Sequence, residues 1–152
     1  MSESFVEKGR FTGSMVAIVT PFDQHGAVDW DAFSLLIERQ IQHGTEGVIV
    51  CGTTGEAATL SQDEFLSVIS KCVQVVRNRV PVIAGTGGNN TRHVIETSKA
   101  VEALGVDGLL VVSPYYNKPT QGGLKRHYES ILDAVNTPVI LYNVPGRTAS
   151  NI

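Results

Sequence analysis

Five short apolar runs, at residues 16–19, 47–51, 80–84, 108–112 and 138–142, start 31, 33, 28 and 30 residues apart. None of them alternates apolar with polar side chains. Continuous β-branched runs of this length read as strands covered on both faces, the pattern of a parallel sheet. The segments between them carry a helical period instead. Phe33, Leu36, Ile37 and Ile41 share one stripe, with Asp29 or Asp31 placed to cap its start. Phe65, Val68, Ile69, Cys72, Val73 and Val76 continue a second stripe without a break, and Ser61 followed by Glu64 is a capping box that fixes where that helix begins. Val94, Ser98, Val101 and Leu104 form a third stripe; Leu124, Tyr128, Ile131, Leu132 and Val135 form a fourth. Gly44 and Gly105 stand just past helix ends, where a positive φ is wanted.

Strict strand–helix alternation fits two architectures. One is a doubly wound five-stranded domain of flavodoxin type. The other is an α/β (β/α)8 TIM barrel, of which this chain supplies the first five strands and four helices, since eight units of about thirty residues make the roughly 250 of that fold. A flavodoxin-type domain should close with a helix after its fifth strand, and the run at 138–142 is followed by only ten residues. The expectation is a polar N-terminal tail over residues 1–10 and, over 11–152, the N-terminal portion of one barrel domain.

Composition removes other classes. A formal charge of −3 on 152 residues makes no electrostatic case for nucleic acid or an anionic membrane. The longest apolar runs are about five residues, against the ~20 that span a bilayer. The opening MSESFVEKGR lacks the apolar stretch of a signal peptide. Cys51 and Cys72 make neither a disulfide framework nor a metal spacing, and His25, His43, His93 and His127 pair with no acid or cysteine at ligand spacing. A cytoplasmic protein without metal or cofactor is expected.

In either architecture function gathers in the loops after the strands. These read Thr20-Pro21-Phe22, then Gly52-Thr53-Thr54-Gly55-Glu56, then Gly85-Thr86-Gly87-Gly88-Asn89-Asn90. Ser113-Pro114-Tyr115-Tyr116-Asn117-Lys118-Pro119 and Asn143-Val144-Pro145-Gly146-Arg147-Thr148 follow the fourth and fifth strands. Hydroxylated, glycine-rich loops with one guanidinium suit a small anionic, oxygen-rich substrate. Each motif also has a plainer reading. Gly-Thr-Thr-Gly alone serves equally as a strand-to-helix turn whose hydroxyls satisfy local backbone. Gly85-Thr86-Gly87-Gly88 lacks the third glycine and the distal acid of a dinucleotide fingerprint. Cys51 and Cys72 read as small packing residues, Tyr115-Tyr116 as packing or interface, and Tyr142 as a core phenol.

Taken together, GTTGE, PYYNKP and YNVPGRT, in this order after the second, fourth and fifth strands, resemble the dihydrodipicolinate synthase branch of the N-acetylneuraminate lyase family of Schiff-base aldolases. The resemblance runs from Phe11 onward and includes TPF and PVIAGTG. It implies a (β/α)8 barrel that condenses pyruvate with aspartate-4-semialdehyde through a lysine Schiff base, giving the precursor of diaminopimelate and lysine. By resemblance, Thr54, Tyr142 and Tyr116 form a proton relay, with Tyr142 as general acid/base and Tyr116 reaching into a neighbouring subunit's site. Thr53 and Thr54, with the adjoining amides, hold the pyruvate carboxylate. Arg147 binds the semialdehyde carboxylate, and Gly146 beside it allows close backbone approach. A homodimer sharing Tyr116, assembled into a tetramer, is implied as well.

Thr53 followed by Thr54, together with Arg147, favours the synthase branch over aldolases of N-acetylneuraminate or 2-keto-3-deoxy sugar acids, which stay as the alternative. A half-barrel that only self-associates is a second alternative. The family's lysine-feedback residues match Ala57, Ala58, Asn89, His93 and Tyr115, but His93 stands where sensitive members carry an acid, and Phe65 where they carry a histidine. The Schiff-base lysine belongs at the end of the sixth strand, near residue 168 by the thirty-residue spacing, beyond Ile152. Lys8 is in the tail; Lys71, Lys99 and Lys125 fall on outer helices; Lys118 lies in an active-face loop open to solvent.

Overall fold

A computed structural model describes residues 11–152, so the expected tail and Lys8 lie outside the described residues. The strands are β1 (Met15–Ala17), β2 (Gly47–Val50), β3 (Val82–Gly85), β4 (Gly108–Val112) and β5 (Val139–Tyr142). The helices are α1 (Trp30–Gln42), α2 (Gln62–Val76), α3 (Thr91–Glu102), α4 (Gln121–Leu132) and the single turn α5 (Pro145–Thr148); a 3₁₀ turn at Ala57–Thr59 precedes α2.

Helix starts follow from local chemistry. Asp29 accepts the Ala32 N–H at 2.9 Å and caps α1. Ser61 and Glu64 make the reciprocal capping box, with the Ser61 N–H donating to Glu64 Oε2 at 2.9 Å. The bonds from the Ser61 backbone and hydroxyl hold the Glu64 carboxyl below its usual range. Asn90 and Thr120 cap α3 and α4 one way, their side-chain oxygens accepting the His93 and Gly123 N–H groups. Gly44 and Gly105 take φ of +89° and +82° past the ends of α1 and α3, as expected.

The five strands are all parallel in the order β1-β2-β3-β4-β5, with Val16 beside Val48, Val48 beside Val82, Ala84 beside Leu109 and Leu109 beside Val139. A flavodoxin-type sheet would run 2-1-3-4-5. Sequential order means every crossover steps the same way, so right-handed connections put all the helices on one face. α1 packs on α2, α2 on α3 and α3 on α4. This is the (β/α)8 barrel arrangement, helices outside and the strands' C-terminal ends at one rim.

Between sheet and helices Phe33, Ile37, Val68, Ile69, Val94, Val101, Leu109 and Ile131 are sealed from water. A side chain of this size contributes roughly 2 kcal/mol when fully buried. Polar clamps lock the outer layer. Arg79 makes a two-pronged ion pair with Glu38 at 2.6 and 2.8 Å, tying the end of α2 to α1. Glu102 of α3 accepts the Asn136 and Thr137 N–H groups, each at 2.7 Å, and so fixes the turn into β5. Burial alone would push the Glu102 carboxyl up, but these bonds and nearby Lys99 outweigh it and keep it low.

Four expectations need correction. β1 is Met15–Ala17 rather than 16–19, because Val19 turns outward and only the Ile18 N–H still reaches Ile49 O. β3 starts at Val82 rather than 80, since Pro81 has no N–H to give the ladder. β1 and β5 are not covered on both faces: they are the sheet's two edges, and Val19 and Leu141 stay about half exposed. On α4 the buried stripe is Leu124, His127, Tyr128 and Ile131, while Leu132 faces out and Val135 falls past the helix end.

Candidate functional site

The loops at the C-terminal ends of β2, β3 and β4 enclose a cavity of about 430 Å³, closed on one side by Tyr142 at the end of β5. Two glycines of the β3 loop let the walls come so close. A Cβ on Gly85 would sit 2.3 Å from Cys51 O, and one on Gly87 would sit 2.3 Å from Val112 N, so only glycine lets the β3 loop nest between its neighbours. This packing role accounts for Gly85 and Gly87 of the Gly-Thr-Gly-Gly string.

Above β2 the chain turns sharply. Cys51 takes φ +52°, the Gly55 N–H bonds Gly52 O at 3.1 Å, and the Glu56 N–H bonds Thr53 O at 3.2 Å. Buried Thr20, from the loop after β1, anchors the turn by donating its hydroxyl to Gly55 O at 2.7 Å. Among the described residues the Thr53 and Thr54 N–H groups bond nothing. They are available to an anion, as oriented backbone donors commonly are. Cys51 lines the cavity wall, and burial pushes its thiol up to about 12, so at neutral pH it is a packing group and not a nucleophile. Cys72 is likewise pushed up to about 12, by burial first and then by Cys51.

The loops over β3 and β4 are laced together. Asn89 donates its amide to Tyr115 O at 3.2 Å, and Asn117 donates its own back to Asn89 O at 3.0 Å. Between them Tyr116 sits at φ +72° with 89% of its surface exposed. That is a strained, outward-held aromatic of the kind that functional loops carry. Beneath the β3 loop, Thr86 is buried and accepts the Ser98 hydroxyl at 3.0 Å.

The cavity brings together only part of the expected site. Thr53 and Tyr142 line it. Ala57, Ala58, Asn89, His93, Tyr115 and Phe65, the positions that resemblance matches to lysine feedback, line the same space. Thr54, Tyr116, Gly146 and Arg147 are not on its wall, and no hydrogen bond joins Thr54, Tyr142 and Tyr116 among the described residues. Arg147 stands exposed on α5, its guanidinium without a partner among the described residues. A Cβ on Gly146 would meet nothing within 4 Å, so no close approach within the chain itself requires a glycine there. Tyr142 is a half-buried wall residue and not a core phenol. Lys71, Lys99, Lys118 and Lys125 all lie off the cavity wall. No group of three or more metal-ligating side chains converges among the described residues, and no described helix is long and apolar enough to cross a membrane.

Sequence reasoning passed over one polar cluster, Ser113, Thr148 and Ser150, which sits buried where the β4 and β5 loops meet. Its only linear signal is a serine closing an otherwise apolar strand.

Chemically, the cavity offers the free Thr53 amide, threonine hydroxyls and the tyrosines Tyr115 and Tyr142 to a small oxygen-rich ligand. Comparisons with known proteins point the same way. Residues 10–152 match the dihydrodipicolinate synthetase family. The chain is 56% identical over 142 residues to the 4-hydroxy-tetrahydrodipicolinate synthase of Pelobacter propionicus, covering 93% of this chain and 49% of that protein. It is 58% identical to the corresponding synthase of Thermodesulfovibrio yellowstonii, covering 93% and 48%. The crystal structure of the chloride-inhibited dihydrodipicolinate synthase of Acinetobacter baumannii, complexed with pyruvate, superposes with a TM-score of 0.90 at 53% identity, covering 91% of this chain and 48% of that one. The chain thus spans about half the length of the curated relatives it matches.

Proposed function

The chain belongs to the dihydrodipicolinate synthetase family, and on that premise we propose that residues 11–152 form the N-terminal portion of a single barrel acting as a 4-hydroxy-tetrahydrodipicolinate synthase. In this reading pyruvate condenses with a lysine beyond residue 152, losing water to form an imine. Loss of a methyl proton gives an enamine, whose carbon attacks the aldehyde of aspartate-4-semialdehyde. Thr53 and the free amides beside it bind the pyruvate carboxylate, and Tyr142 moves protons at the imine. Thr54 and Tyr116 complete the relay, with Tyr116 supplied across a dimer interface within a tetramer of cytoplasmic enzyme. Arg147 offers its guanidinium to the semialdehyde carboxylate, a task suited to a planar two-pronged donor.

The observation that carries the reading is that Thr53, in the loop after β2, and Tyr142, at the end of β5, line one cavity at the strands' C-terminal rim. The test is turnover by a complete barrel containing this segment. Pyruvate with aspartate-4-semialdehyde is expected to be consumed far faster than N-acetylneuraminate or 2-keto-3-deoxygluconate is cleaved. Preference for a sugar acid, or no turnover of any of them, would reject it.

A further inference from the structure

We infer that the buried hydroxyls of Ser113, Thr148 and Ser150 are positioning groups that set where Arg147 stands. Ser113, at the end of β4, is fully buried; Thr148 and Ser150, which flank the turn after α5, are 2% and 9% exposed. The Thr148 hydroxyl donates to Ser150 O at 2.9 Å, and the Ser150 hydroxyl donates to Pro114 O at 2.8 Å. Ser113 Oγ lies 3.4 Å from Thr148 Oγ1 and 3.3 Å from Ser150 Oγ, so its single proton closes the set. The Ser150 N–H returns to Thr148 Oγ1 at 3.3 Å.

Every one of these bonds either crosses from the β5 loop to the end of β4 or folds the β5 loop on itself. Gly146 and Arg147 are themselves exposed. A Cβ on Gly146 finds open space, and Arg147 has no side-chain partner among the described residues. α5 is a single turn with no side-chain cap. Thr148, next to Arg147, is the nearest side chain tied to the body of the fold. The cluster holds the backbone that bears Arg147 against the Pro114–Tyr115 stretch, fixing the guanidinium relative to the loop that carries Tyr116. Small displacements of such a donor cost binding steeply.

This rests on the proposed role of Arg147 toward the semialdehyde carboxylate, so two readouts are taken. In a complete barrel containing this segment, Thr148→Val and Ser150→Ala are compared with Thr148→Ser. The expected result is a KM for aspartate-4-semialdehyde raised about tenfold by Thr148→Val, less by Ser150→Ala, and restored by Thr148→Ser, with the KM for pyruvate unchanged. A purely structural role would lower the active fraction for both substrates together and leave the KM values alone. Backbone amide exchange over residues 144–150 is expected to quicken in the same order. Unchanged semialdehyde KM in both variants overturns the inference, even if exchange quickens. If Thr148→Val does not fold, Ser150→Ala decides. If the unaltered barrel does not turn over the pair, it is the proposed function that fails, and the exchange rates alone judge the anchoring: no change overturns it.

Discussion

The side-chain amide of Asn89 reaches across from the β3 loop to the backbone carbonyl of Tyr115, 3.2 Å away, and both residues line the same cavity as Thr53 and Tyr142. The positions that resemblance assigns to a regulatory ligand are therefore continuous with those it assigns to pyruvate.

That continuity sharpens an expectation about feedback. His93 lies in the first turn of α3, lining the cavity near a helix N-terminus, where the backbone dipole is positive. An acid there would attract the amino groups of lysine; an imidazole supplies no negative charge to do so. In a complete barrel, lysine is expected to inhibit weakly or not at all, and His93→Glu to increase sensitivity. Half-maximal inhibition of the unaltered barrel by submillimolar lysine would contradict this.

Tyr116 stands almost fully exposed on a left-handed turn braced by Asn89 and Asn117. If it serves a neighbouring subunit's site, Tyr116→Phe and Tyr142→Phe should each lower activity by roughly a hundredfold or more, the scale of a lost proton-transfer group. Mixing the two inactive variants and allowing subunit exchange should restore part of the activity through hybrid dimers. Assays before and after exchange check this, and no recovery would count against a shared site.

The 152-residue segment by itself is expected to form no pyruvate imine. Its described lysines all lie off the cavity, out of reach of a ligand held by Thr53 and Tyr142. Its two sheet edges, with Val19 and Leu141 about half exposed, should also make it poorly soluble. Borohydride reduction with pyruvate followed by mass spectrometry tests both the segment and the complete barrel. An adduct on the segment, at Lys118 or elsewhere, would overturn the proposed mechanism.

His127 is buried on α4, with Nδ1 2.9 Å from Thr91 Oγ1 and Nε2 without a partner among the described residues. Burial pushes its pKa down, so the unfolded chain takes up a proton that the folded chain refuses. Stability from this site is complete above the unfolded value of ~6.5 and declines as pH falls below it. Carboxylates held low, such as Glu64 and Glu102, add their losses only at more acid pH, because their unfolded values lie near 4.3. Thermal melts of the complete barrel between pH 7 and 5 should fall, and His127→Gln should flatten that slope. Equal slopes in both proteins would remove His127 as the cause.

How much of this was legible in the chain depends on the range of the interaction. Strand and helix positions, the Asp29 cap and the Ser61–Glu64 box were readable because they follow from contacts within a few residues. The expectation of a barrel came from spacing together with family motifs, and those motifs also named Thr53 and Tyr142. What only tertiary structure decided is what depends on neighbours distant in sequence. Strand order excluded the doubly wound sheet. Edge positions left β1 and β5 half covered. Gly85 and Gly87 proved to be spacers against Cys51 and Val112, while Gly146 had no such neighbour. The Ser113–Thr148–Ser150 cluster joins residues up to 37 positions apart. A hydroxyl's partner is set by where the backbone folds in three dimensions, and periodicity carries no record of it.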